Sequence, residues 1–146
     1  MAITSAICNS FKQEILEAEH NFTASTGNTF NLALYTSSAT LGASTTAYTS
    51  SNEITNSSGT AYSAKGKALT SVTPTLDSST AVCDFADVSW TSASFTASGC
   101  LIFNDSHSTD AAVCAIAFGG DKTVSSGTFT IQFPAAAATT AIIRIA

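Results

Sequence analysis

Charge is what this chain has least of. Only 10% of its 146 residues are Asp, Glu, Lys or Arg, whereas about a quarter are charged in an ordinary soluble domain. Serine and threonine, at about three residues in ten, take their place. A free monomer usually stays soluble through a mixed charged surface. This chain instead has many hydroxyls and small side chains. Such a surface is typical of a protein that packs against copies of itself or against a partner.

The chain has only two prolines and eight glycines, which argues against a disordered or collagen-like chain. Basic residues are scarce as well, with five lysines and arginines in total. The net charge is −5 and the pI is near 4.6, whereas nucleic-acid binding requires clustered lysine and arginine. No apolar run approaches the roughly 20 residues of a membrane span, and no secretion signal is visible. We therefore expect neither nucleic acid nor a membrane among the partners.

The cysteines include no Cys-x-x-Cys pair and lie in apolar or strand-like surroundings. They are Cys8, Cys83, Cys100 and Cys114. This placement favours buried free thiols, with one disulfide or a metal site as the alternatives. Free thiols indicate folding in a reducing cytosol.

A single domain is expected over residues 1–146, opened by one amphipathic helix over about residues 5–20. Ser5 or Thr4 is the expected N-cap. The apolar face of this helix consists of Ile7, Cys8, Phe11, Ile15 and Ala18. Such a helix must dock either on its own sheet or on a neighbouring subunit, and the pattern leaves both open.

Residues 28–146 are predicted to form many short strands. Alternation over 30–35 indicates a half-buried strand, and apolar residues on both faces of 95–103 indicate a central one. Further strands are expected at 82–85, up to Trp90, and at 113–118, 129–133 and 141–145, with turns at 56–59, 119–121 and 125–127. The predicted class is mainly β, a β-sandwich or barrel-like antiparallel sheet with one N-terminal α-helix.

The segment of about residues 36–60 is rich in serine and threonine and is unusually long for a loop. It fits either an arm lying across another subunit or a solvent-exposed loop with a short strand near residues 47–50.

Residue patterns for chemistry are weak, and we expect no enzyme, no cofactor and no metal. Ser106 beside His107 lacks a nucleophile elbow, and Asp84 with Asp87 is better explained by strand and turn positions. Asp105, His107 and Asp110 have no recognised metal-ligand spacing, and His20 ends the helix without a nucleophile nearby in sequence.

Three segments carry a resemblance to a known family. They are residues 2–14 (AITSAICNSFKQE), 34–41 (LYTSSATL) and 133–144 (FPAAAATTAIIR). The chain resembles small virion structural proteins of tailed bacteriophages, including phages of cyanobacteria and marine bacteria. The resemblance implies a virion component and carries over no catalytic residue. Relatives often have glycine near the helix end, where this chain has residues 17–20 (EAEH), which puts the predicted helix end in question.

The first functional hypothesis is a capsid decoration, or cement, protein on the outer surface of the major capsid lattice. Its partners would be the major capsid protein and copies of itself, as a trimer or ring, in a virion assembled in the host cytoplasm. The second hypothesis is a tail or neck subunit, such as a tail-tube, tail-completion or adaptor protein. The third is a host-recognition or carbohydrate-binding module that stacks sugars on Tyr35, Tyr48, Tyr62 and Trp90.

Candidate interface residues lie on the apolar stripe of the helix and in or beside the serine- and threonine-rich segment. They are Phe11, Ile15, Tyr48, Ile54 and Tyr62. If the helix instead packs on its own sheet, Phe11→Ala should destabilise the monomer by about 3–5 kcal/mol.

Overall fold

The computed structural model describes residues 2–146. The chain is 47% strand and 6% helix, in two antiparallel sheets with one short helix near the N-terminus, which confirms the predicted sandwich-like class. The elements are β1 (Ala6–Ile7), α1 (Asn9–Leu16), β2 (Phe30–Tyr35), β3 (Lys67–Ala68), β4 (Ser71–Asp77), β5 (Thr80–Phe85), β6 (Val88–Asn104), β7 (Ala111–Ile131) and β8 (Ile143–Ile145).

The five-stranded sheet has the order β1-β7-β6-β2-β3. Residues 99–104 of β6 pair with β2 on one side and with β7 on the other. Cys100, Leu101, Ile102 and Phe103 are all buried, which confirms β6 as a central strand with two apolar faces. β2 has its predicted bounds but is buried on both faces, more than its alternation predicts.

β6 and β7 form one long hairpin that turns at residues 105–110. The predicted turns at 119–121 and 125–127 are wrong, because β7 continues through both sites as bulges where its register with β6 shifts. Gly119, Gly120 and Ser126 adopt positive φ there. A bulge absorbs extra residues and bends a strand without ending its ladder, so turn-forming residues alone do not reveal it.

The serine- and threonine-rich segment folds back over one face of this sheet. We refer to residues 36–62 as the cover segment. It is bridged to the sheet through Ala47 and Ala111, its Tyr48 ring packs 4.8 Å from that of Phe103, and Ile54 is buried beneath it. The cover segment is therefore neither an arm leaving the domain nor a solvated loop, because its spaced apolar side chains close a sheet face that would otherwise meet water.

The three-stranded sheet, in the order β4-β5-β8, packs against the other face. Phe22 and Phe30 stack with ring centroids 4.2 Å apart, and Phe85 of β5 lies 6.0 Å from Phe30. Burial of each such ring contributes about 1.5–3 kcal/mol. The core therefore lies between the two sheets, with α1 at one end.

α1 is shorter than the predicted helix of residues 5–20. Ala6 and Ile7 form β1 instead and pair with β7, and the Ser5 hydroxyl accepts a hydrogen bond from the Ala117 amide. Cys8 occupies the N-cap position without a side-chain capping bond. By pairing with the open edge of β7, the backbone N–H and C=O groups of these residues obtain hydrogen-bond partners on a distant strand. A local helix pattern in the sequence does not reveal such a partner. No helix in residues 2–146 is long and apolar enough to cross a membrane.

All four cysteines are buried and free, as predicted. Burial raises the pKa of Cys8 to about 11 and those of Cys83 and Cys100 to about 12, and it holds the pKa of Cys114 well above its ordinary value. The apolar interior disfavours the thiolate. At neutral pH these residues are therefore protonated and pack as small apolar side chains.

The sequence prediction lacks two strands, β3 and β4, whose residues are almost all exposed. β4 forms an edge of the second sheet, and its ladder shifts register between Val72 and Thr75. Pro74 lies within this irregularity, where no ladder hydrogen bond is required of it. An exposed edge strand has no buried face to leave a pattern in the sequence.

Candidate functional site

One wall of an apolar cleft is formed by α1 and the sharp turn that follows it. The helix ends at Leu16 because Ala18 adopts a left-handed conformation with φ 61°. The Ala18 and Glu19 amides donate to the carbonyls of Ile15 and Glu14, which closes a Schellman motif. This reversal sends the following residues back beneath the helix.

His20 is fixed in the floor of this wall. Its Nε2 lies 2.8 Å from Glu14 Oε2, and its Nδ1 lies 3.1 Å from the Asn104 side-chain amide, which also donates to the Glu19 carbonyl. With the amide as donor, Nδ1 is the acceptor and Nε2 carries the proton toward Glu14. The Phe11 ring lies 5.0 Å from the imidazole. Both ring nitrogens are thus engaged within the chain.

The opposite wall is the inner face of the three-stranded sheet. Strand register places Leu76, Ala81 and Ile145 side by side in one row, and Cys83 beside Ile143 in the next. Directly opposed residues of neighbouring strands share a face. The two rows therefore form a continuous apolar surface that looks toward α1.

Between these walls lies a cleft of about 410 Å³. Three large apolar side chains of the elements that form the walls are unusually exposed: Leu16, next to Ile15, by 87%, Leu76, paired with Ala81, by 72%, and Ile145 by 57%. The cleft is lined by Phe11, Ile15, Ala18, His20, Asn21, Phe22, Thr23, Pro74, Ala81, Val82, Cys83, Ile143 and Ile145. Its chemistry suits apolar groups.

The ionisable groups that line the cleft are poorly suited to attack a substrate. Desolvation raises the pKa of Cys83 to about 12, so its thiol remains protonated at neutral pH. His20 is held by Glu14 and Asn104 as described above. The arrangement favours binding of an apolar group over a reaction on it.

A second exposed feature is the outer edge of β7. β1 covers this edge only at Cys114 and Ala115, so residues 116–131 have no strand on that side in the described chain. Asp121 and Lys122 lie within it, but residues 123–131 contain no charge, and Thr128 is among their exposed hydroxyls. Unpaired backbone groups on an uncharged edge can accept another strand.

The cover segment is locked by a single carboxylate. Glu53 accepts hydrogen bonds from the hydroxyls of Tyr48 and Tyr62, at 2.6 and 2.7 Å, and from the Lys65 amide at 2.8 Å. The Tyr62 hydroxyl in turn accepts from the buried Leu34 amide at 2.8 Å. Burial together with Glu53 raises the pKa of Tyr48 to about 12 and that of Tyr62 above its ordinary value. This network is structural, because every group in it faces its own chain.

The predicted interface residues are distributed between core and surface. Phe11, Ile54 and Tyr62 are buried within the chain, which gives them a core role rather than the predicted interface role. Ile15 is half-buried at the cleft, and Tyr48 is half-buried under Lys65. Phe11 packs on its own domain because the short α1 closes one end of the core.

Of the four aromatic residues considered for sugar stacking, three lie inside the fold, and Tyr48 is half-buried against Phe103. Tyr35, Tyr62 and Trp90 are buried, and the Tyr35 hydroxyl donates to the Thr49 carbonyl. The Tyr62 and Trp90 rings face each other with centroids 6.1 Å apart. These rings offer no open face to a sugar.

The loose acidic group after β6 is occupied by a lysine. Lys65 Nζ lies 2.9 Å from a carboxylate oxygen of both Asp105 and Asp110, which raises the pKa of this lysine. His107 instead contacts Thr109 and lies 3.5 Å from Glu19. No group of three or more potential metal ligands is found among residues 2–146.

The other residues considered for catalysis make separate backbone contacts. The Ser106 hydroxyl accepts from the Thr29 amide, the Asp84 carboxylate from the Phe85 amide, and the Asp87 carboxylate from the Phe133 amide. These three contacts hold loops and strands in place and bring no nucleophile to a base.

Sequence reasoning missed the three exposed residues around the cleft. Leu16 lies off the apolar stripe of the helix, Leu76 stands alone in a polar run, and Ile145 belongs to a short apolar strand. A large apolar side chain off the stripe is the one local signal that could have found Leu16. The row of Leu76 and Ile145 depends on strand register.

No known protein family, curated protein or solved structure matches this chain.

Proposed function

We propose that this chain is a virion structural protein that decorates the outer surface of a tailed-phage capsid. The observation that carries the proposal is the free, uncharged edge of β7 over residues 123–131. Natural monomers usually protect such an edge with charges, proline, a bulge or a covering element, and on this edge only the bulge at residues 125–127 is present. An edge left open suits a subunit that completes its hydrogen bonds on a partner.

Low charge supports the same function. Burying an unpaired charge in an interface costs several kcal/mol, whereas each hydroxyl can contribute about 0.5–1.5 kcal/mol through a hydrogen bond. The exposed face of β7 offers Thr123, Ser125, Thr128 and Thr130 in this way. Repetition of modest contacts over a symmetric lattice yields tight overall binding.

Rigidity of the domain also supports it. The Glu53 network holds the cover segment on its own sheet, and bulges set the shape of β7. A preformed surface loses little conformational entropy on binding. The resemblance of the segments at residues 2–14, 34–41 and 133–144 to phage virion proteins is the reason for naming a capsid as the partner.

The first test is the copy number of this chain in purified virions of the phage that encodes it, measured by quantitative mass spectrometry. Decoration of the lattice predicts a number comparable with that of the major capsid protein. A few dozen copies or fewer would place the chain in the neck or tail and overturn decoration. Absence from particles would overturn a virion role altogether.

A matched pair of variants tests the edge itself. Thr128→Lys places a charge on the free edge of β7, and we expect it to abolish incorporation into particles, because a lysine on an edge blocks strand addition. Ser108→Lys makes the same change in the exposed turn of the hairpin and should be incorporated normally. Equal incorporation of the two variants would show that the edge is not the contact.

A further inference from the structure

The end of the apolar cleft next to α1 matches a surface that the chain itself presents. The cleft accepts an apolar side chain. Beside it, the exposed Glu17 and Glu19 that follow the helix make the surface acidic. We propose that two copies of this chain associate about a two-fold axis, with α1 antiparallel to α1 and Leu16 of each copy in the cleft of the other.

The apolar part of the match is Leu16. Its side chain is 87% exposed, and it neighbours Ile15, which lines the cleft. The cleft of about 410 Å³ is large enough for a leucine side chain. Each copy carries both the projection and the receptor, as a two-fold contact requires.

The charged part of the match is Lys12. It precedes Leu16 by four residues, so both side chains lie on one face of α1. Glu17 and Glu19 are exposed at the C-terminal end of the helix, where the helix dipole adds partial negative charge. In an antiparallel pair, Lys12 of each copy faces the acidic end of the other. One complementary contact is thus made twice.

Lys12 and Glu17 are free to change partners, whereas Glu19 lies 3.5 Å from His107. Lys12 donates to the Asn9 side chain at 3.3 Å, and Gln13 donates to Glu17 at 2.9 Å, both on the exposed surface. Exposed pairs of this kind contribute little stability, so exchanging them for contacts across the axis costs little. Glu14 is not available, because it binds His20.

The contact is small. α1 has eight residues, and a stable complex buries about 800 Å² on each partner. We therefore expect a weak, reversible dimer, with monomer prevailing at low micromolar concentration and dimer at hundreds of micromolar. Sedimentation equilibrium over that range measures it on the purified full chain.

Two variants test the apolar contact. Leu16→Ser should weaken dimerisation at least about tenfold, because it removes a buried leucine from both halves of the interface. Val72→Ser removes an exposed apolar side chain from the opposite face of the second sheet, as its pairing with Asp84 shows, and should leave dimerisation unchanged. Both positions are exposed, so urea midpoints should match that of the parent chain. Equal dimerisation of the two variants would overturn the proposal.

A charge exchange tests the orientation. Lys12→Glu and Glu17→Lys should each weaken the dimer, because each places like charges opposite one another, and the double variant should recover it. If the double variant dimerises no better than the single variants, the antiparallel arrangement is excluded. A parent chain that remains monomeric throughout the concentration range would overturn the dimer itself.

This dimer does not depend on the capsid role. It is measured without particles, whereas the capsid role is measured by copy number in virions. A dimer with no virion copies, or virion copies with no dimer, would each eliminate one proposal and keep the other.

Discussion

Removal of one hydroxyl group, that of Tyr62, is expected to destabilise the whole domain. This hydroxyl accepts from the Leu34 amide at 2.8 Å and donates to Glu53 at 2.7 Å. Tyr62→Phe leaves the buried amide without its partner, which costs about 1–3 kcal/mol, and removes a bond to a charged group worth about 1.5–3 kcal/mol. Because neighbouring losses do not add fully, we expect the free energy of unfolding to fall by about 2–4 kcal/mol.

Urea unfolding followed by the fluorescence of Trp90, the only tryptophan, measures this change. Its ring lies 6.1 Å from that of Tyr62, so it reports on the same region. The midpoint should decrease while the dependence of the unfolding free energy on urea stays constant, since the surface exposed on unfolding is unchanged. The melting temperature should fall by about 3–4 °C for each kcal/mol lost.

Tyr48→Phe is the matched control. It removes a hydroxyl bond to the same carboxylate, that of Glu53, from a half-buried ring and leaves no buried amide unpaired. Because the ring is half-buried, we expect it to cost about 1.5 kcal/mol, the lower end of the range for a bond to a charged group. Equal effects of the two variants, or an effect of Tyr62→Phe below about 0.5 kcal/mol, would refute the assignment of the larger cost to the Leu34 amide.

Three further changes should alter stability. Burial raises the pKa of Cys100 from 9.0 to about 12, so the folded chain keeps a proton that the unfolded chain loses. The free energy of unfolding therefore has its full value below pH 9. It declines by up to about 1.4 kcal/mol per pH unit for each such thiol as the pH rises toward 12. A urea midpoint that stays constant from pH 8 to 10 would contradict this. Ala18→Gly should stabilise by about 1 kcal/mol in thermal unfolding, because φ is 61° there, whereas Glu17→Gly, at φ −88°, should not. Gly66→Ala should cost about 3 kcal/mol or more or prevent folding, since its Cβ would lie 1.8 Å from a carbonyl oxygen of β2 at φ +68°; Gly59→Ala, at positive φ but in open space, should cost only about 1 kcal/mol, and similar melting temperatures for the two would refute the clash.

Much of the fold follows from local patterns. The bounds of β2, the central position of β6 and the burial of the four thiols can be predicted from the sequence. This is because alternation indicates a strand with one buried face, and an apolar run indicates a strand buried on both faces. The mainly β class follows from the number of such strands. Helix bounds are less readable, since pairing of Ala6 with β7 and the left-handed Ala18 both override the apolar stripe.

The candidate site could be predicted only in part. Ile15 belongs to a recognisable apolar stripe of the helix, and in the structure it is half-buried at the cleft. Leu76 and Ile145 become neighbours only through the register of three strands, which joins residues almost seventy positions apart. The same holds for Tyr62 and Leu34, whose hydrogen bond forms only once the cover segment closes.

By itself, then, the amino-acid sequence determined the class of fold, the strands that cross the core and a surface poor in charge, since these depend on composition and on periods of a few residues. Tertiary structure alone decided that the serine- and threonine-rich segment is a cover, that two turn signals are bulges in β7, and that two exposed leucines and one exposed isoleucine belong to the elements around one cleft. Each of these depends on which distant backbone groups pair. Which strands pair depends on the free energy of forming the whole core, including contacts between residues far apart in sequence. A local sequence pattern determines only a small part of that free energy.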